Sequence, residues 1–212
     1  LLIKNFPWPI GVELRRLFSA SMRELDRMRL DQILKTIERT MQFLSFVMVA
    51  QLWRDKTQHP LKLPESFARD FEKRFSLLTL GNYAWIIRNL FNLYHKQEWE
   101  WFAPEMHEKL DKKLFNSLDN LVQERNEIGH YQVNLSAEEI EKRCIQYEEQ
   151  LTFLLQSMAF LTKYKLVSVR DISVIKSKIK QATFHHVVDL LNSSDSDFKA
   201  KELIEDTYAE SH

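Results

Sequence analysis

Apolar positions recur at helical spacing over most of the chain. Over residues 21–56, Leu30, Ile33, Leu34, Ile37, Met41, Leu44, Met48 and Leu52 fall three or four apart, predicting a long amphipathic helix. His59-Pro60 and Leu63-Pro64 interrupt it, and Pro64 suits the first position of the next helix, where a missing N–H costs nothing. The pattern predicts further helices over 64–75, 80–96 and 105–126, with the Trp-rich stretch Trp99-Glu100-Trp101-Phe102 and Pro104 between the last two. The most regular seam is Ile140, Cys144, Tyr147, Leu151, Leu154, Met158 and Leu161, a heptad pattern. Ser136 with Glu139 three residues on predicts a capping box at its start. Such a helix belongs in an antiparallel bundle; a helix contributing to a dimer is the sharper alternative.

Two segments depart from this period. The opening Phe6-Pro7-Trp8-Pro9 reads as rigid and extended, since a residue before proline is pushed out of the α region. After Lys163, Leu166, Val167, Val169, Ile172, Val174 and Ile175 favour strand, and a second apolar stretch follows over 182–191. These predict a β-hairpin turning at 177–181. From Asn192 the chain is Ser/Asp-rich, then acidic, and reads as a loosely attached tail. The expected fold is therefore mainly α: an antiparallel helical bundle over 1–165, including the extended opening, a basic β-hairpin over 166–191, and an acidic tail over 192–212.

Composition narrows the function. The 212 residues suffice for one sizeable domain, and only three are glycine. That scarcity argues against a sandwich or barrel, and it removes the Gly-rich phosphate loops of Rossmann enzymes, P-loop NTPases and kinases. Thirty basic and thirty acidic residues cancel, unlike the basic excess of a dedicated duplex-DNA binder. The cancellation is uneven. Between 163 and 180, Lys163, Lys165, Arg170, Lys176, Lys178 and Lys180 face Asp171 alone, a basic patch suited to guiding RNA or simply a solvated hairpin. The single cysteine, Cys144, excludes an internal disulfide and suits a reducing, cytoplasmic compartment. No apolar run approaches the ~20 residues of a membrane span, so no membrane partner is expected. The chain opens on Leu1, resembles no signal peptide, and reads as a fragment or processed product.

Most site chemistries drop out. His185 and His186 are adjacent, which in a strand sends them to opposite faces, a poor chelating pair. Cys144 lies in the apolar seam, where a buried thiol is inert. No metal or cofactor is expected. What remains is the segment 121–131, LVQERNEIGHY. Leu114, Leu118, Leu121 and Val122 form an apolar face, and Arg125 falls within it. A charge there is costly unless it is paired or faces a functional cavity. Gly129, one turn on, leaves space beside the guanidinium and is expected to fray or end the helix, freeing His130 to turn back. Arg125, Asn126 and His130 around a small space would suit binding a phosphodiester and moving a proton. The alternative is a structural arginine bonded to a carboxylate or to carbonyls.

RNEIGHY, after a leucine-rich helix and before a long final one, resembles the signature of HEPN domains: an Arg and a His with four to six residues between them, and a polar residue, often Asn, directly after the Arg. LTLGNYAWIIRNL (78–90) is similar to a helix opening common in that superfamily, and the likeness covers about 30–165. The resemblance implies a metal-independent endoribonuclease, typical of toxins and of antiviral or stress effectors, working as a homodimer whose two motifs share one cleft. His130 would then be the general acid or base, Arg125 would stabilise charge on the phosphorane, and Asn126 would orient them. In HEPN toxins controlled by a nucleotidyltransferase, a Tyr two residues beyond the His is modified; Tyr131 is one residue beyond His130, a departure from that pattern. Two other pairs match the spacing, Arg88 with Asn89 and His95, and Arg54 with His59. The alternative function is a non-catalytic HEPN-like module that dimerises or binds RNA or nucleotide for a larger protein, with a regulatory partner or fused sensor domain.

Overall fold

The computed structural model describes residues 4–58, 62–131, 135–176, 182–192 and 198–205, without the side chains of 127–131, 199–200 and 202–205. The chain is mainly helical and ends in a small antiparallel sheet. It divides into two compact units: residues 17–158, and residues 1–16 together with 159–212. The sequence-based boundaries at 165 and 191 cut the chain differently, because they join the opening to the bundle.

The larger unit holds α2 (Arg27–Gln58), α3 (Glu65–Phe75), α4 (Leu80–Lys96), α5 (Glu105–Lys109), α6 (Lys112–Tyr131) and α7 (Ala137–Ser157). Helix α2 packs on α4 and α7, α4 on α3 and α6, and α6 on α7. The predicted stripe of α2 is the reason: Leu30, Ile33, Ile37, Met41, Leu44 and Met48 are all buried. Thr36 and Thr40 share that buried face because each hydroxyl donates back one turn, to the carbonyls of Gln32 at 2.7 Å and Thr36 at 2.8 Å. Asp26 starts α2 six residues later than the expected boundary at 21, its Oδ1 accepting the Arg29 N–H at 2.9 Å. The seam of α7 buries Cys144, Tyr147, Leu151 and Leu154, and the capping box forms as expected.

One predicted helix is two. The segment 105–126 breaks at Leu110, whose ψ of 61° leaves the helical region, and Asp111 recaps the chain by accepting the Leu114 N–H at 2.8 Å. An aspartate competes with the backbone for its own hydrogen bonds, so it favours a cap over a helix interior. Gly81, in the first turn of α4, permits a close approach to α6: a Cβ there would lie 3.3 Å from Val122 Cγ1.

In the smaller unit the opening is not extended throughout. Trp8 begins α1 (Trp8–Leu17), with Pro9 in the first turn, where proline is tolerated. Ile10 and Leu14, one turn apart on α1, are buried. The hairpin is present as β1 (Val167–Ile175) paired antiparallel with β2 (Thr183–Leu190), with a register shift between Val169 and Asp171. Part of the predicted tail is a strand: β3 (Lys199–Glu205) pairs with β2 as a third strand, giving the order β1-β2-β3. Backbone pairing with β2 holds this segment in place, a non-local effect that its own mix of two Lys and two Glu does not reveal. Asn192 ties the unit together, donating to the Asn5 and Tyr164 carbonyls and accepting from the Leu166 N–H. His185 is half-buried and His186 buried, as strand alternation requires.

Candidate functional site

The Arg125 segment is built on the last turns of α6. Leu114, Leu118 and Leu121 are buried, and Arg125 continues their stripe, yet its side chain is 43% exposed and its Nη2 lies 3.6 Å from Glu38 Oε2 on α2. The expectation of a buried guanidinium is therefore corrected. A long aliphatic stem can lie along apolar surface while its charged head reaches the edge, and Glu38 supplies the partner there. The separation exceeds ordinary hydrogen-bond distance, so the pair is a loose ionic contact.

Glu38 also acts on α4. The buried Tyr83 hydroxyl is pushed above its ordinary range, first by burial and then by the Glu38 charge, while a hydrogen bond with Gln42 works the other way. Arg125 thus borders a polar cluster of Glu38, Gln42 and Tyr83, none of which was singled out in the sequence. Glu38 and Gln42 resemble the polar side of α2, and Tyr83 resembles a core position of α4.

Asn126 turns elsewhere. Consecutive helix residues point about 100° apart, and Asn126 lines an open groove of about 410 Å³ with Arg74, Trp85, Arg88, Asp119 and Gln123. Arg125 and Asn126 therefore do not enclose one small space. The helix also does not end at Gly129 but runs to Tyr131; a single glycine costs about 1 kcal/mol in a helix, which a long packed helix absorbs. His130 lies one turn beyond Asn126 on α6, and its side chain is outside the described residues.

The competing pairs resolve differently. Arg88 Nη2 donates to the Phe115 carbonyl at 2.9 Å and to Asp119 Oδ2 at 2.7 Å, with its guanidinium over the Phe115 ring. Phe91 contacts both Phe115 and His95, so aromatic rings fill the path from Arg88 to His95. Asn89 donates to the Trp85 carbonyl within its own helix. Arg54 bonds Asp55, and His59 is outside the described residues. Arg88 and His95 do not form a joint site, and the Arg54–His59 pair lies partly outside the described residues.

Of the basic candidates, Lys163, Lys165, Arg170 and Lys176 are exposed, and Lys178 and Lys180 lie outside the described residues. Arg170 is already committed to Asp189 at 2.5 Å, so its charge is largely neutralised within the sheet. Cys144 is buried, and burial followed by the Glu148 charge pushes its thiol up to about 11, in keeping with an inert side chain. Among the described residues, no group of three or more His, Cys, Asp or Glu is placed to hold a metal ion. No described helix is long and apolar enough to cross a membrane. No family model, curated protein or solved structure matches the chain. The likeness to HEPN domains rests on the RNEIGHY and LTLGNYAWIIRNL segments and their setting.

Proposed function

We propose that the chain is a metal-independent endoribonuclease of the HEPN type, a homodimer of the toxin or antiviral and stress-effector kind, acting in the cytoplasm. The antiparallel arrangement of the bundle helices belongs to this proposal. The observation that carries it is the state of Arg125: a guanidinium at the end of α6, 43% exposed and held, among the described residues, by a 3.6 Å pair, can transfer to a phosphodiester at small cost. Surface pairs of this kind contribute about 0–1 kcal/mol, against the stronger bidentate bonds that a guanidinium makes with phosphate.

In this reading His130 takes the proton of a 2'-hydroxyl, and that oxygen attacks the adjacent phosphorus. The bond from phosphorus to the 5'-oxygen breaks, the leaving oxygen receives a proton from the second copy's His130, and a 2',3'-cyclic phosphate remains. Arg125 offsets the charge that builds on the phosphorane, and Asn126 orients the strand from the groove side. The test is cleavage of RNA in EDTA by wild type and by His130→Ala. A loss of at least about 100-fold in the variant is expected; equal rates would sink the proposal.

The Arg125–Glu38 pair also favours a second reading, a non-catalytic HEPN-like module that dimerises or binds RNA or nucleotide for a larger protein. It predicts RNA binding without cleavage under the same conditions.

A further inference from the structure

The groove that receives Asn126 continues. A second hollow of about 460 Å³ runs along α4 and α6 toward α5, lined by Phe91, Asn92, His107, Lys112 and Asn116 among others. The two hollows share Arg88 and Asp119. They form one open trough, and α6 rises about 21 Å between Lys112 and Asn126. We infer that this trough is a track for single-stranded RNA, an inference that takes its ligand class from the ribonuclease reading above.

The lining chemistry selects the ligand. Cations stand at both ends, Lys112 at one and Arg74 at the other, where they can hold phosphates of one strand. Between them Asn92 and Asn116 are exposed amides, each both donor and acceptor, the combination that reads base edges. The Arg74 guanidinium sits 4.9 Å from the centre of the Trp85 ring and donates to Asn82 Oδ1, which fixes a flat cation where a base can stack. A duplex hides its base faces and much of its base edges, so amides and flat groups find their partners on an unpaired strand.

Acidic groups in the trough set a limit on affinity. Asp111 is occupied in capping α6. Asp119 stands mid-trough, 55% exposed, and draws on Arg88 Nη2. Both hydrogen bonds of Arg88 are made by that one nitrogen, so Arg88 stays with Asp119 and Phe115, and a phosphate in the trough is held by Lys112 or Arg74. Asp119 repels the same phosphate. Its removal should strengthen binding, an outcome that a purely structural role does not produce.

The test measures fluorescence anisotropy of the full chain with a labelled 12-nucleotide 2'-O-methyl RNA, which cannot be cut through a 2'-hydroxyl. The double variant Arg74→Ala, Lys112→Ala should bind at least about tenfold more weakly, and Asp119→Asn about threefold more tightly. Unchanged affinity in the double variant, with wild-type melting, overturns the inference. Equal or tighter binding of the same sequence as a duplex also overturns it. If the double variant melts early, Asp119→Asn decides: tightening upholds the track, and no change overturns it. Cleavage of unmodified RNA, scored separately, keeps the two readings apart. Trough-dependent binding without cleavage upholds the track and overturns the ribonuclease; cleavage with binding indifferent to these substitutions does the reverse.

Discussion

Arg88 and Arg125 are both arginines on packed helices facing a carboxylate of another helix, and they are held very differently. Arg88 makes two hydrogen bonds under 3 Å and covers an aromatic ring. Among the described residues, Arg125 has one ionic neighbour, at 3.6 Å. A guanidinium already spent on a carboxylate, a carbonyl and a ring anchors α4 to α6, and moving it would leave all three without their partner. A guanidinium with one loose neighbour can be redirected by an arriving anion. The difference gives Arg88 a structural role and, on the ribonuclease proposal, leaves Arg125 for chemistry, although both carry the same sequence signature, an Arg-Asn pair with a His downstream.

The sharpest way to break this comparison is to remove each arginine in turn. Arg125→Ala should lower RNA cleavage in EDTA by about 100- to 1000-fold, the usual cost of losing one donor to a developing charge, and its melting temperature should fall by no more than about 4 °C. Cleavage that survives this substitution would remove Arg125 from the chemistry. Arg88→Ala should instead destabilise the fold by about 1–2 kcal/mol, combining one charged hydrogen bond to a carbonyl, a cation–ring contact and a largely solvent-screened ion pair. For a chain of this size that is a fall of about 2–8 °C in melting temperature, readable by calorimetry. A melt unchanged by Arg88→Ala would show that the anchor contributes nothing.

Local signals in the sequence were legible where structure is made locally. Helix α4 begins and ends at the predicted residues 80 and 96, and the Ser136–Glu139 box lies where the spacing puts it. Helix α1 was legible in principle, since Ile10, Leu14 and Leu17 are buried at helical spacing; the flanking prolines hid it. The break at Asp111 went unread because apolar residues on both sides keep a helical rhythm. Strand β3 owes its existence to β2, not to its own composition. The site shows the same division. Arg125 does lie on the apolar stripe of α6, but its charged neighbour Glu38 comes from a distant part of the chain. The trough draws on four helices, α3 to α6, and each of its amides resembles an ordinary solvated position when read along one helix.

The α7 cap offers a smaller, pH-dependent effect. Ser136→Ala should cost about 1 kcal/mol at neutral pH, measured by denaturant melts. Hydrogen bonds from the Ser136 backbone N–H and hydroxyl hold the Glu139 carboxyl below its ordinary range. A carboxylate with a depressed value contributes stability above its unfolded value and loses it as pH falls through the folded one. The difference between wild type and Glu139→Gln should therefore shrink on acidification below about pH 4. A difference that stays constant down to pH 2 would mean that the carboxylate takes no part in the cap.

The smallest effect tests the looseness of Arg125 directly. Glu38→Gln keeps the shape of the side chain and removes the charge that competes with phosphate. An exposed pair of this kind contributes at most about 1 kcal/mol, so releasing it should raise kcat/KM for RNA cleavage by no more than about fivefold. The fold should be untouched, because Glu38 is 40% exposed and lies beyond hydrogen-bond distance of its partner. The increase should appear in KM more than in kcat, since Glu38 competes for Arg125 before the phosphodiester arrives. A large fall in activity would reverse the argument. It would mean that Glu38 aims the guanidinium rather than occupying it, and the loose pair would then be a positioning contact.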